Sequence, residues 1–275
     1  MHGIMAIDQL GMDKLRAAAK IILHSDHGVQ AGLRTVAVDF TAVIPVMGVL
    51  MRREGTFQPY ITDVDDVRAA VNAAANDPKV RNIVMVIDSP GGSVEGLHEL
   101  GQAVASAAKS KPVIAQVEGM AASAGFYIAS QASKVFAGPA DTVGSIGTVL
   151  VVTDMSKMAE QMGIRVVVIS TGEFKGTGTP GTELTDSQEA YLQGIVDAYF
   201  ADFKQAVRKG RKMSKEDVDA AADGRIFMAK DALRMGLIDG ISSLEQTLSG
   251  FVDKTRARVQ QQSIEILGIE KADHC

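Results

Sequence analysis

Ser123 stands where a hydroxyl could do chemistry. It lies in "GMAASAG" (119–125), between alanines and a glycine, where an apolar strand-like run gives way to a helix-like one. A second junction of the same kind, "DSPGGS" (88–93), lies upstream. At such junctions the first N–H groups of the helix are unpaired and the helix dipole is positive. Gly91 and Gly92 permit a sharp turn and put no side chain in the way. The chemistry this suits is attack of the Ser123 hydroxyl on an acyl carbonyl. Two N–H groups would hold the oxyanion, one from Gly91 or Gly92 and one from Ala124. Taken singly, a glycine pair makes a turn and a serine among alanines lets a helix pack closely. The recurrence on successive strand–helix units is what favours a site.

A serine hydroxyl needs a base. The five histidines are His2, His24, His27, His98 and His274. Four lie in the terminal regions. His98 falls about one turn into the helix after "SPGG" and reads as a surface or helix–helix residue, so a Ser-His-Asp triad is not supported. Lys175 is the other candidate, in "STGEFKGTGTP" just after the apolar run "RVVVIS" (165–170). A free lysine keeps its proton to about pH 10.4, so a lysine base at neutral pH has to be desolvated, at a cost in stability. A loop lysine is ordinarily a solvated charge, and the residues alone leave the base undecided.

The elements that must position these residues alternate. "NIVMVID" (82–88), "PVIAQV" (112–117), "KVFA" (134–137) and "RVVVIS" read as buried strands, with strand-like residues at 35–51 before them. Helices are expected from near Thr62, with Val64, Val67, Val71 and Ala74 as its apolar stripe, and over 94–108 and 154–162. A long helix is expected from Thr185 to about Lys209, opened by a Thr185/Gln188 capping box. Two short helices and a closing strand should follow up to about residue 241. Near-continuous apolar strands between helices imply a parallel α/β sheet with both faces covered. Residues 1–34 read as an N-terminal helix (5–24) and a linker, 35–245 as the main domain, and 246–275 as a tail. In the tail region Leu244, Leu248 and Val252 form an apolar stripe that could face either a neighbouring subunit or the chain's own domain.

Composition narrows the partners. Of 275 residues 46% are hydrophobic and none is tryptophan, so a large core must be built from aliphatic side chains. The net charge of −5 has its signs interspersed, which points away from nucleic acid. The single cysteine, Cys275, excludes an internal disulfide and a thiolate metal site, and suits a reducing compartment. No apolar run is long and uncharged enough to read as a membrane span or a secretory leader. The expectation is a cytoplasmic protein with no membrane partner.

Five motifs in order, "IDSPGGS", "EGMAASAGFYIAS", "TVGSIGTV", "STGEFKGTGTP" and "GRIFMAKDALRMGLIDGI", resemble the signal peptide peptidase A family of Ser-Lys serine peptidases. They are most similar to its soluble branch, the phage head (capsid) maturation proteases. The resemblance spans roughly 36–245. It implies the α/β fold shared by Clp proteases and crotonases, built of repeated ββα units, here with terminal helices. It also implies ring-like homo-oligomers, peptide or protein substrates, and no metal or cofactor. By position in the motifs it implies Ser123 as nucleophile, Lys175 as general base and Ser145 as the serine that orients the lysine. Gly91 or Gly92, with Ala124, would supply the oxyanion donors. Asp88 stands where the family commonly has asparagine. Two other readings use the same fold: an acyl-CoA enzyme of crotonase type, with a carboxylate such as Glu118, and a catalytically silent assembly subunit.

Overall fold

The computed structural model describes residues 36–38, 40–52 and 60–250. The expected N-terminal helix and most of the expected tail lie outside them. The strands are β1 (Val36–Val38), β2 (Thr41–Met51), β3 (Ile61–Asp63), β4 (Asn82–Gly92), β5 (Val113–Ala122), β6 (Lys134–Ala137), β7 (Thr142–Gly144), β8 (Ile226–Met228) and β9 (Gly240–Ile241). The helices are α1 (Val64–Asn76), α2 (Leu97–Ser110), α3 (Ala124–Ala129), α4 (Ser156–Gln161), α5 (Asp186–Arg211), α6 (Lys215–Ala221) and α7 (Ala229–Arg234).

The spine of the sheet runs β1-β2-β4-β5-β6-β9, and every neighbouring pair after β1-β2 is parallel. Ile83 to Ile87 of β4 are fully buried, as expected of a strand with both faces covered. The helix expected near Thr62 begins at Val64. The Asp63 side chain caps it by accepting from the Asp65 N–H, and Val64, Val67, Val71 and Ala74 are its buried residues. Thr185 and Gln188 form the expected capping box at the head of α5.

β5 divides its pairing. Residues 114–117 pair with β6, while Met120 to Ala122 pair with β7, which pairs in turn with β8. The chain irregularity between these halves falls at Glu118 and Gly119, where Gly119 has φ 111°. It lets one strand serve two sheet edges and delivers Ser123 at the upper one. Neither this split nor β8 was expected from the sequence.

The strand expected at 165–170 does not form. These residues pair with no described strand of the sheet, with Ile169 95% exposed and Val167 61%. The place beside β6 is taken by β9. Val149, Val151 and Met162 in the same lobe are also exposed. Of the long helix α5 only Phe203 and Val207 are buried, so its N-terminal half stands off the core.

Leu244 and Leu248 are buried on the chain's own domain. Val252 lies outside the described residues. A buried polar network holds this helical segment, residues 244–250. Thr247 Oγ1 donates to Gln116 Oε1 at 2.6 Å, Gln116 Nε2 donates to Ser242 O at 3.0 Å, and the Leu244 N–H donates to Glu118 Oε1 at 3.1 Å.

Candidate active site

Ser123 joins the end of β5 to the start of α3 at φ 50°, ψ −120°. This is the backbone of the first central position of a type II′ turn, which favours glycine. A non-glycine residue costs on the order of 1–3 kcal/mol there. Two bonds hold the turn in place: the Ser123 N–H donates to Gly144 O at 2.9 Å, and the Tyr127 N–H donates to Ser123 O at 2.9 Å. Gly144 is at the end of β7, so the pairing of β5 with β7 braces the serine from one side. Ala124, Phe126 and Ile128 bury α3 in the core beneath it.

Gly91 lies against the serine. A Cβ built on Gly91 would stand 2.7 Å from Ser123 Cβ and 3.1 Å from its Oγ, and the glycine has φ 114°. No other residue fits. The "SPGG" turn expected to follow β4 is instead its last stretch, and the strand runs through to Gly92. The Gly91 N–H donates to Ser89 Oγ at 3.2 Å, and Ser89 Oγ–H donates to Gly48 O at 2.6 Å. Gly92 is exposed. Ala124 opens α3, so its N–H is one of that helix's unpaired first-turn donors.

Ser145 follows β7 at φ 51°, partly buried, and its N–H donates to Arg225 O at 2.7 Å. Both serines are therefore pinned by the β5-β7-β8 wing.

Lys175 sits apart. Its side chain is exposed, and among the described residues no hydrogen bond joins it to Ser123 or Ser145. Its loop is tied to the N-terminal end of α5. The Phe174 and Tyr191 rings lie 5.0 Å apart, and Gln188 Nε2 donates to Glu173 O at 3.1 Å. Ser123 is tied to the other half of that helix, because the Tyr127 and Phe203 rings lie 5.3 Å apart. Tyr191 and Phe203 are twelve positions apart in one helix, about 18 Å at 1.5 Å per residue. The loop that carries Lys175 and the helix headed by Ser123 therefore meet different halves of α5.

His98 is exposed and pairs with Gln102 at 2.7 Å, as a surface helix residue does. Burial, and to a lesser extent the nearby Asp141 charge, pushes the Glu118 carboxyl above the ordinary range. Its Oε1 accepts from the Leu244 N–H and from Gln116, so it is engaged in holding the 244–250 segment. Among the described residues no group of three or more His, Cys, Asp or Glu side chains is arranged to hold a metal ion, and no helix is long and apolar enough to cross a membrane.

Residues 105–257, more than half of the chain, match peptidase family S49. The chain belongs to that family. Residues 62–143 also match the Clp protease family. The chain is 31% identical over 222 residues to the capsid assembly protease C of Escherichia phage lambda, covering 79% of this chain and 50% of that protein. It is 28% identical over 242 residues to protease 4 of Salmonella typhi, covering 88% and 38%. To the chloroplastic serine protease SPPA of Arabidopsis thaliana it is 25% identical over 261 residues, covering 93% and 38%. The chain thus spans about half or less of the length of these three relatives. Among solved structures, an enoyl-CoA hydratase/isomerase family member superposes with a TM-score of 0.50 at 13% identity, covering 83% of this chain and 77% of that one. The S49 chain therefore has the fold shared by Clp proteases and crotonases, as expected from its motifs.

Proposed function

We propose that this S49 family member is a serine endopeptidase in which Ser123 attacks the peptide carbonyl and Lys175 serves as general base. The observation that carries this reading is Ser123 held in a glycine-favouring conformation at the head of a buried helix, with Gly91 pressed against it. A protein keeps a strained polar residue at such a turn when the geometry does work.

Neutral Lys175 takes the Ser123 proton as Oγ bonds to the carbonyl carbon. The carbonyl oxygen becomes an oxyanion, held by the Ala124 N–H and a glycine N–H. Because the Gly91 N–H is engaged by Ser89, the exposed Gly92 supplies the second donor. Protonated Lys175 then passes its proton to the leaving amine, and water releases the acyl group by the reverse sequence. Ser145 accepts a hydrogen bond from the lysine and orients it. An extended substrate lies as an added strand along "GGSV" (91–94).

The Lys175 that serves a given Ser123 comes from a neighbouring copy. Support comes from the exposed Lys175 side chain, from the roughly 18 Å of α5 between the ring contacts at Tyr191 and Phe203, and from the exposed aliphatic lobe around Val151 and Ile169, which suits subunit packing. Burial of that lobe would also supply the dry surroundings that a neutral amine needs. The substrate is a protein segment in the host or phage-infected cytoplasm, as in head maturation or peptide clearance. Ser123→Ala tests the core of the reading: peptide hydrolysis should vanish with the fold and assembly intact. Full activity in that variant would refute it.

A further inference from the structure

We propose that Ser89 is a positioning residue for the oxyanion-binding segment: its buried hydroxyl, clamped between Gly48 O and the Gly91 N–H, anchors the Pro90–Gly91 peptide plane from which the following Gly92 N–H is presented to a carbonyl oxygen over Ser123. The inference rests on the peptidase reading.

β4 loses its regular ladder on both sides at this level. Its register with β2 shifts between Met47 and Val49, and its register with β5 shifts between Ile87 and Ser89. Pro90 has no N–H to contribute. Gly48, at φ 77°, leaves the β2 ladder at the shift. Ser89 fills the gap. It is fully buried, donates to Gly48 O at 2.6 Å and accepts from the Gly91 N–H at 3.2 Å. One hydroxyl thus uses its donor on one strand and an acceptor lone pair on the turn.

The pocket is closed from the other side. A Cβ on Gly125 would stand 3.0 Å from Ser89 O and 3.2 Å from Ser89 Cβ, so α3, the helix headed by Ser123, packs directly on this residue. With Gly91 pressed on Ser123 as well, the hydroxyl ties nucleophile and turn into one unit. Without it, the Gly91 N–H would have no fixed partner and the two-glycine segment would be free to rotate. A preorganised donor would then have to be reorganised during the reaction.

The test compares the full chain with Ser89→Ala, Ser89→Cys and Ser123→Ala in steady-state peptide hydrolysis and in amide hydrogen exchange over residues 90–94. Removing an oxyanion donor outright costs about a hundredfold to a thousandfold in kcat, and a misaimed donor should cost less. Ser89→Ala should therefore lose about tenfold to a hundredfold in kcat with KM within about threefold, and the Gly91 amide should exchange at least about tenfold faster. Ser89→Cys, which keeps a weak donor and acceptor, should fall between. If Ser89→Ala does not fold, Ser89→Cys carries both readouts. A folded Ser89→Ala with wild-type kcat and unchanged exchange, alongside an inactive Ser123→Ala, overturns the role of Ser89 alone. Hydrolysis that survives in Ser123→Ala overturns the peptidase reading and the role of Ser89 with it.

Discussion

Gly91 and Ser123 are in van der Waals contact across the gap between β4 and β5, and a methyl group on the glycine would overlap the serine side chain at 2.7 Å. The glycine also has φ 114°, which L side chains rarely adopt. Gly91→Ala should therefore cost about 1–3 kcal/mol of stability and displace Ser123 from its position. Hydrolysis should drop at least about a hundredfold. Thermal unfolding and kcat measured on the same preparation check this. Wild-type kcat in Gly91→Ala would mean that the contact has no bearing on the reaction.

Ser123→Gly separates strain from chemistry. Glycine adopts φ 50°, ψ −120° without the penalty a serine carries. The variant should be inactive and yet more stable than the parent by about 1 kcal/mol. A melting temperature below that of Ser123→Ala would show that the turn is not strained.

The proposed sharing of the site between copies is tested by mixing. Ser123→Ala and Lys175→Ala should each be inactive alone. Co-assembled, they should recover a measurable part of wild-type activity, because an intact serine from one copy meets an intact lysine from the other. Ile169→Asp should dissociate the assembly in sedimentation and lose hydrolysis with it, since it places a charge in the exposed aliphatic lobe. Full activity from a monomeric Ile169→Asp would place both partners in one chain.

Asp239 gives a prediction in pH. Burial alone would push its carboxyl up. Hydrogen bonds from Lys134 and the Val135 N–H, with the Arg211 charge, outweigh that and hold it below the ordinary value. Arg211 is nearly buried and sits 2.7 Å from Asp239 Oδ2. A depressed carboxylate contributes stability above its unfolded value, about 3.9, and loses it as pH falls through the folded value. Asp239→Asn should therefore be destabilised by about 2–4 kcal/mol at pH 7, leaving a buried guanidinium without its counter-charge. The difference from wild type should shrink only below about pH 4. Urea unfolding across that range measures it, and an equal gap at pH 7 and pH 3 would contradict the assignment.

Much of this was determined locally and so was legible in the chain. The stripe Val64, Val67, Val71 and Ala74 buries one face of α1 as its spacing required. The Thr185/Gln188 box forms because its partners are three residues apart. The apolar run in β4 has only one way to be covered on both faces. Gly91 and Gly119 do adopt backbone that other residues avoid, although "SPGG" ends β4 instead of forming the expected turn. Lys175 and Ser145 enter only as proposals from the motif resemblance.

Tertiary structure alone decided the rest, since it depends on contacts between distant residues. "RVVVIS" has the composition of a buried strand, but β9, about seventy positions later, holds the sheet position beside β6, and no local pattern records that competition. The splitting of β5 between β6 and β7 arises from one irregularity at Gly119. The clamp of Ser89 on Gly48 joins residues 41 positions apart, and a serine in a turn looks the same in sequence whether its hydroxyl is solvated or buried. Where the loop of Lys175 and the helix of Ser123 each meet α5 is likewise decided by ring contacts between distant residues, so the sequence can name both residues without placing them.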